Sequence, residues 1–200
     1  MVRYSFFALV SRMKNITRWS LMRNASIENV QEHSHMVAVI AHALAVIRRD
    51  VYGHSADPGQ VAAVALLHDA SEILTGDMPT PVKYFDSDIT TAYKRVESVA
   101  SLKLLAALPE ELRTAYRPLL SPGDSDSLAL VKAADKLAAY IKCIEELNTG
   151  NPEFKHAAEQ TRKKLDALDM PEVKYFIEHF IPAFELTLDE LTQPNNELGS

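Results

Sequence analysis

The sequence predicts an all-α protein, a single-domain bundle of about seven to eight helices. Three observations carry this expectation. Apolar residues recur at helical spacing along nearly the whole chain, and alternating strand patterns are nearly absent. Cap residues and prolines open the segments, and several close on glycine. The 200 residues are 47% apolar and 24% charged, enough to fill one core and too apolar for a disordered chain.

The first amphipathic segment covers about 4–15. The second covers about 30–51, with Asn29 as N-cap, Glu32 three residues on, and Gly53 as the stop. The third covers about 58–75, opened by Asp57 and Pro58 and closed by Gly76. Further segments are expected near 88–108, 109–120, 126–148, 152–168 and 171–185, with Pro109, Pro152 and Pro171 in first turns. The linkers are 76–86, 121–126 and 149–151, none long enough for a domain boundary. One domain is therefore expected over 1–191, followed by a polar, flexible tail over 192–200.

Composition excludes several classes. The single cysteine, Cys143, rules out an intramolecular disulfide framework and suits a reducing compartment. No apolar run of ~18 residues is present, so no membrane span is expected. The first residues, MVRYSFFALVSRMKNITRW, lack a small-residue cleavage site and read as part of the fold. Cytoplasmic localisation is expected. Net charge is -6 without any Lys/Arg cluster, so no nucleic-acid surface is expected. A small anion remains possible as substrate, held locally by a cation and one or two basic side chains.

The chemistry-bearing residues interrupt apolar stripes. At ~100° per residue, His33 shares a face of the second helix with Val37, Ile40, Leu44 and Ile47, while His35 and His42 point away. In the third, His68 follows Val61, Val64 and Ala65 on the inner face, with Asp69 next and Glu72 one turn beyond. A buried carboxylate is costly unless paired or bound to a metal. Asp135 borders the stripe Leu130, Ala134, Leu137 and Ile141. For each residue a plainer role stands beside this one: a hydrogen-bonded core histidine at His33, a rim cap at Asp69, a surface ion pair of Asp135 with Lys132 or Lys136. Together, two imidazoles and two carboxylates form a mixed set for a borderline divalent metal.

The order His33, His68-Asp69, Asp135 resembles the HD-domain metal-dependent phosphohydrolases. The words RWSLMRN (18–24), ENVQEHS (28–34), LLHDASEILTGDMPTPVKYF (66–85) and LVKAADKLAAYIKCIEEL (130–147) are similar to the bacterial 5'-deoxynucleotidases of that superfamily. The likeness runs from about 4 to 190, and block 66–85 is its specific part.

The resemblance implies the HD-domain fold and hydrolysis of 2'-deoxyribonucleoside 5'-monophosphates to deoxynucleoside and phosphate, with relaxed base preference. It also implies a homodimer with one divalent metal per site, such as cobalt or manganese. By motif, His33, His68, Asp69 and Asp135 become metal ligands, and Glu72 positions or deprotonates the attacking water. Arg18 orients the phosphate, Trp19 packs on the sugar and Asp77 receives the 3'-hydroxyl. Thr80, Pro81, Val82 and Lys83 contribute to substrate binding. The bare HD pattern also fits an enzyme acting on a triphosphate or signalling nucleotide, or a non-catalytic helical sensor.

Overall fold

The computed structural model describes residues 3–83, 85–123 and 125–192. The described residues form eleven α-helices and no β-strand, with one isolated antiparallel bridge between Thr17 and Asn29. Seven helices have nine residues or more, in line with the expected seven to eight. They are α2 (Val30–Val46), α3 (Pro58–Leu66), α6 (Ser87–Ala106), α7 (Glu110–Leu120), α8 (Asp126–Asn148), α9 (Lys155–Asp166) and α10 (Pro171–His179). Four are single turns: α1 (Phe6–Val10), α4 (Glu72–Thr75), α5 (Thr80–Lys83) and α11 (Leu188–Thr192). The expected tail therefore loses Thr192 to α11, and its remainder, 193–200, lies outside the described residues.

Local chemistry explains the starts. The Asn29 side chain accepts from the amides of Gln31 and Glu32, and Glu32 accepts from the Asn29 amide, closing a capping box. Asp57 caps α3 through the Gln60 amide, and Ser125 caps α8 through Leu128. Pro109 is the N-cap of α7 rather than its first turn. The first segment is α-helical only to Val10 and continues as a 3-10 turn to Asn15, while α2 ends in a π-helical turn, Ile47–Val51. The segments expected at 152–168 and 171–185 likewise contain 3-10 turns, Pro152–Phe154 and Ile181–Glu185.

The third expected helix is broken. α3 stops at Leu66, and residues 67–71 run through tight turns in which amides bond three residues back, as from His68 to Ala65 and from Glu72 to Asp69. In a continuous helix His68 and Asp69 would point ~100° apart. The break in the helix lets both side chains meet, His68 Nε2 lying 3.1 Å from Asp69 Oδ2.

Helices α2, α3 and α8 bury the main core, with Val37, Leu44, Val64, Ala65, Leu130 and Leu137 at 1% exposure or less. A second cluster sets Phe6 of α1 against Leu104, Leu105, Leu108 and Leu120. A third surrounds Phe154 and Cys143 and takes in half-buried Trp19. No helix among the described residues is long and apolar enough to cross a membrane.

Candidate functional site

The antiparallel bridge between Thr17 and Asn29 closes a loop over residues 17–29. The Arg18 amide donates to Glu28 O at 3.0 Å and the Val30 amide to Ile16 O at 2.9 Å. Glu28 therefore lies opposite Arg18 and Trp19. Its Oε2 accepts from Arg18 Nε at 3.2 Å and from Trp19 Nε1 at 3.0 Å. Trp19 is the one non-glycine among the described residues with positive φ, +57°. Such backbone costs of order 1 kcal/mol or more and persists where its surroundings enforce it. Here the indole packs on Phe154, with ring centroids 5.3 Å apart.

The loop is pinned from below by α8. Glu146, 1% exposed, accepts from the amides of Ala25 at 2.8 Å and Ser26 at 3.0 Å, from Asn151 Nδ2 at 2.7 Å, and from Lys142 Nζ. Lys142 Nζ also donates to Ser26 O. Burial alone would raise Glu146, but these donors hold it down at about 2.

Above this floor the expected ligands converge from two helices, α2 and α8, and from the turn after α3. His33 Nε2 lies 3.0 Å from Asp135 Oδ1 and 3.8 Å from Asp69 Oδ2, and His68 Nε2 lies 3.1 Å from Asp69 Oδ2. Donor atoms of His33, His68 and Asp135 fall within 4.8 Å of one another. Two donors ~2.1 Å from one ion sit roughly 3–3.4 Å apart in tetrahedral or octahedral geometry, so these spacings suit adjacent ligands. His68 Nδ1 donates to Ala65 O at 2.7 Å, which leaves the Nε2 lone pair toward the cluster. That buried Nε2 has no hydrogen-bond partner. The residues present fit a divalent cation.

Electrostatics point the same way. Burial alone would lower His68, yet the charge of Asp69 overrides it and pushes the imidazole up to about 9. Burial opposes the charge on Asp69, and His68, His33 and Arg18 hold it well below the carboxylate range. Asp135 is likewise held down against burial, chiefly by His33. Burial pushes Glu28 up, and His33, Arg18 and Trp19 bring it lower than usual. Burial works against Arg18, which Asp69, Glu28 and Asp135 keep charged above its ordinary value. The pocket gathers more negative charge than Arg18 balances, and a proton on His68 fills part of the deficit that a cation would fill.

Arg18 reaches into this cluster, its Nη1 donating to Asp69 Oδ2 at 3.3 Å. Glu72 opens α4, is 6% exposed, and leaves Oε2 without a partner. Burial, then the charges of Asp69 and Asp77, push it up to about 9. No hydrogen bond joins Glu72 to either histidine, which disfavours a role as a histidine-orienting carboxylate. Asp77 follows Gly76, whose φ of +73° turns the chain out of α4. Burial raises Asp77, with Arg18 opposing. On α5, Thr80, Pro81 and Val82 are exposed, while Lys83 Nζ donates to Glu97 Oε1 at 2.8 Å and lies 4.9 Å from the Tyr93 ring centroid.

The structure thus brings Arg18, His33, His68, Asp69 and Asp135 into one cluster, joins Trp19 to it through Glu28, places Glu72 and Asp77 within electrostatic reach of Asp69 and Arg18, and sets Thr80–Lys83 on the chain just beyond. Asp135 contacts His33 rather than Lys132 or Lys136, while Lys136 Nζ bonds Lys132 O. His35, His42, His54, His156 and His179 are exposed and take no part. Sequence reasoning missed Glu28, which precedes the helix cap and shows no periodic signal. Its only mark was its place in the word ENVQEHS.

A model of the YfbR-like 5'-deoxynucleotidase family matches residues 5–184. A 5'-deoxynucleotidase of Erwinia tasmaniensis is 49% identical over 195 residues, covering 96% of this chain and 98% of the relative. One of Vibrio cholerae is 49% identical over 189 residues, 94% and 97% of the two chains. Among solved structures, an HD-domain phosphohydrolase of Listeria innocua superposes with TM-score 0.77 at 24% identity, covering 90% of this chain and 88% of that one. An HD phosphohydrolase of cyanophage S-2L, bound to dA and one catalytic Zn2+, superposes with TM-score 0.60 at 20% identity, covering 90% and 99%.

Proposed function

The chain belongs to the YfbR-like 5'-deoxynucleotidase family, and from that premise we propose how its own residues hydrolyse a 2'-deoxyribonucleoside 5'-monophosphate to deoxynucleoside and phosphate. One observation carries the residue assignment. The Arg18 guanidinium is fixed at Asp69, beside a cluster that gathers more negative charge than Arg18 balances. A phosphate monoester placed there meets a guanidinium on one side and the cation site on the other.

His33, His68, Asp69 and Asp135 would hold the cation, and their mixed imidazole and carboxylate donors suit manganese or cobalt. A bound divalent cation supplies a water of lowered pKa and polarises a phosphoryl oxygen.

The chain's own groups do the rest. Arg18 presents a planar fork to the phosphate oxygens, which a lysine cannot do in the same geometry. Glu72, whose Oε2 is unpartnered and whose carboxyl the charge of a bound cation would return to its ionised form, takes a proton of the attacking water as the water oxygen bonds to phosphorus. The bond from phosphorus to O5' breaks, and the proton returns to the leaving 5'-oxygen. Trp19, its indole nitrogen occupied by Glu28, offers no partner to a 2'-hydroxyl. An apolar wall of that kind discriminates by only ~10²-fold. Asp77 accepts from the 3'-hydroxyl, and Thr80, Pro81, Val82 and Lys83 border the substrate. No base-reading group emerges, in keeping with relaxed base preference. Exposed Phe180, Leu186, Leu188 and Leu191 at the C-terminal end support a homodimer, which light scattering of the purified protein tests.

Phosphate release from dAMP and AMP, with manganese or cobalt and with chelator, tests the reading. The expected result is metal-dependent turnover that favours dAMP and is abolished by His68→Ala or Asp69→Ala. Equal turnover of both nucleotides would remove the sugar selectivity. Turnover of triphosphates alone would move the substrate assignment to the alternative.

A further inference from the structure

Glu28 is absent from the residues just assigned, yet it touches three of them. Its Oε2 takes both Arg18 Nε at 3.2 Å and Trp19 Nε1 at 3.0 Å, and its Oε1 lies 3.7 Å from His33 Nδ1. His33 is fully buried, its Nδ1 has no hydrogen-bond partner, and its Nε2 faces Asp135. If Nε2 lends its lone pair to a cation, Nδ1 must carry the proton and point it at Glu28. The Glu28 main chain is fixed, because the Arg18 amide bonds its carbonyl and Asn29 beside it caps α2, and its carboxylate is held by Arg18 and Trp19.

We propose that Glu28 is a positioning residue that ties the indole of Trp19, the guanidinium of Arg18 and the ligand histidine His33 to one carboxylate, so that sugar selectivity and cation affinity are set together. The inference rests on the roles given to Trp19, Arg18 and His33 above. All three neighbours are donors, and a carboxylate offers acceptors to all of them. Glutamine cannot. With its oxygen toward Arg18 and Trp19, its amide nitrogen faces the His33 Nδ1 proton. Turned over, that nitrogen faces the other two donors.

The test is Glu28→Gln, checked for folding by circular dichroism and read three ways. Trp19 is the only tryptophan, so emission of the metal-free protein reports the indole directly. Calorimetry with manganese reports the cation site, and the dAMP/AMP ratio of kcat/KM reports selectivity. The expected result is shifted emission, a manganese Kd raised about 10–100-fold, and a lower ratio. Glu28→Asp, which keeps the charge but withdraws it by one methylene, moves emission and Kd the same way by less. Unchanged emission and Kd, or movement of only one of them, overturns the coupling, as does failure of both variants to fold. If the wild-type protein shows no preference for dAMP, the reading of Trp19 falls, while emission and Kd still judge Glu28.

Discussion

Glu146→Ala is the sharpest test of how the loop bearing Arg18 is held. The carboxylate is 1% exposed and satisfies two backbone amides, Asn151 and Lys142, itself 4% exposed. Removing one partner of a buried pair costs about 3–5 kcal/mol, because the other charge stays behind without compensation. For a chain of this length about 4 kcal/mol lowers Tm by roughly 10 °C. Thermal and urea unfolding followed by circular dichroism measure both. A cycle with Lys142→Met should give a coupling of at least about 2 kcal/mol. A loss under about 1 kcal/mol for Glu146→Ala would refute the argument. The same group predicts an acid response. Its folded pKa is about 2 against an ordinary 4.5, so its contribution is complete above 4.5 and is lost as pH falls toward 2. The shift corresponds to about 3 kcal/mol, and Glu146→Gln should flatten the fall of Tm over that interval.

Arg18→Lys should lower kcat/KM by about 10²-fold with little change in Tm, since a point charge cannot span Glu28 and the phosphate while holding Asp69; steady-state kinetics decide it. Leu44→Ala, in a fully buried position of α2, should cost about 2–5 kcal/mol and leave the manganese Kd unchanged, which denaturant unfolding and calorimetry check.

The residues that cluster at the proposed cation site are legible because each interrupts or borders an apolar rhythm: His33 and His68 sit on inner faces, and Asp69 and Asp135 adjoin apolar stripes. The capping box at Asn29 and Glu32 was legible because its chemistry is local. What escaped depends on contacts far along the chain. The break after Leu66 has no glycine or proline to announce it, since α3 yields to the geometry of the cluster rather than to propensity. Glu28 and Glu146 look like ordinary solvated acids, and only the bridge at Thr17 and the docking of residues 22–26 on α8 bury them. Trp19 packs on Phe154 and presents its nitrogen to Glu28, contacts that no local pattern announces.

Asp135 and Lys142 stand seven residues apart on α8, two turns and about 10.5 Å along its axis. One rod therefore gauges the gap between the proposed cation site and the floor beneath Arg18. Deleting a single residue between them would swing one end by ~100° against the other and throw the two halves of the cleft out of register. Change by insertion or deletion is barred from that stretch even where individual side chains are free to vary.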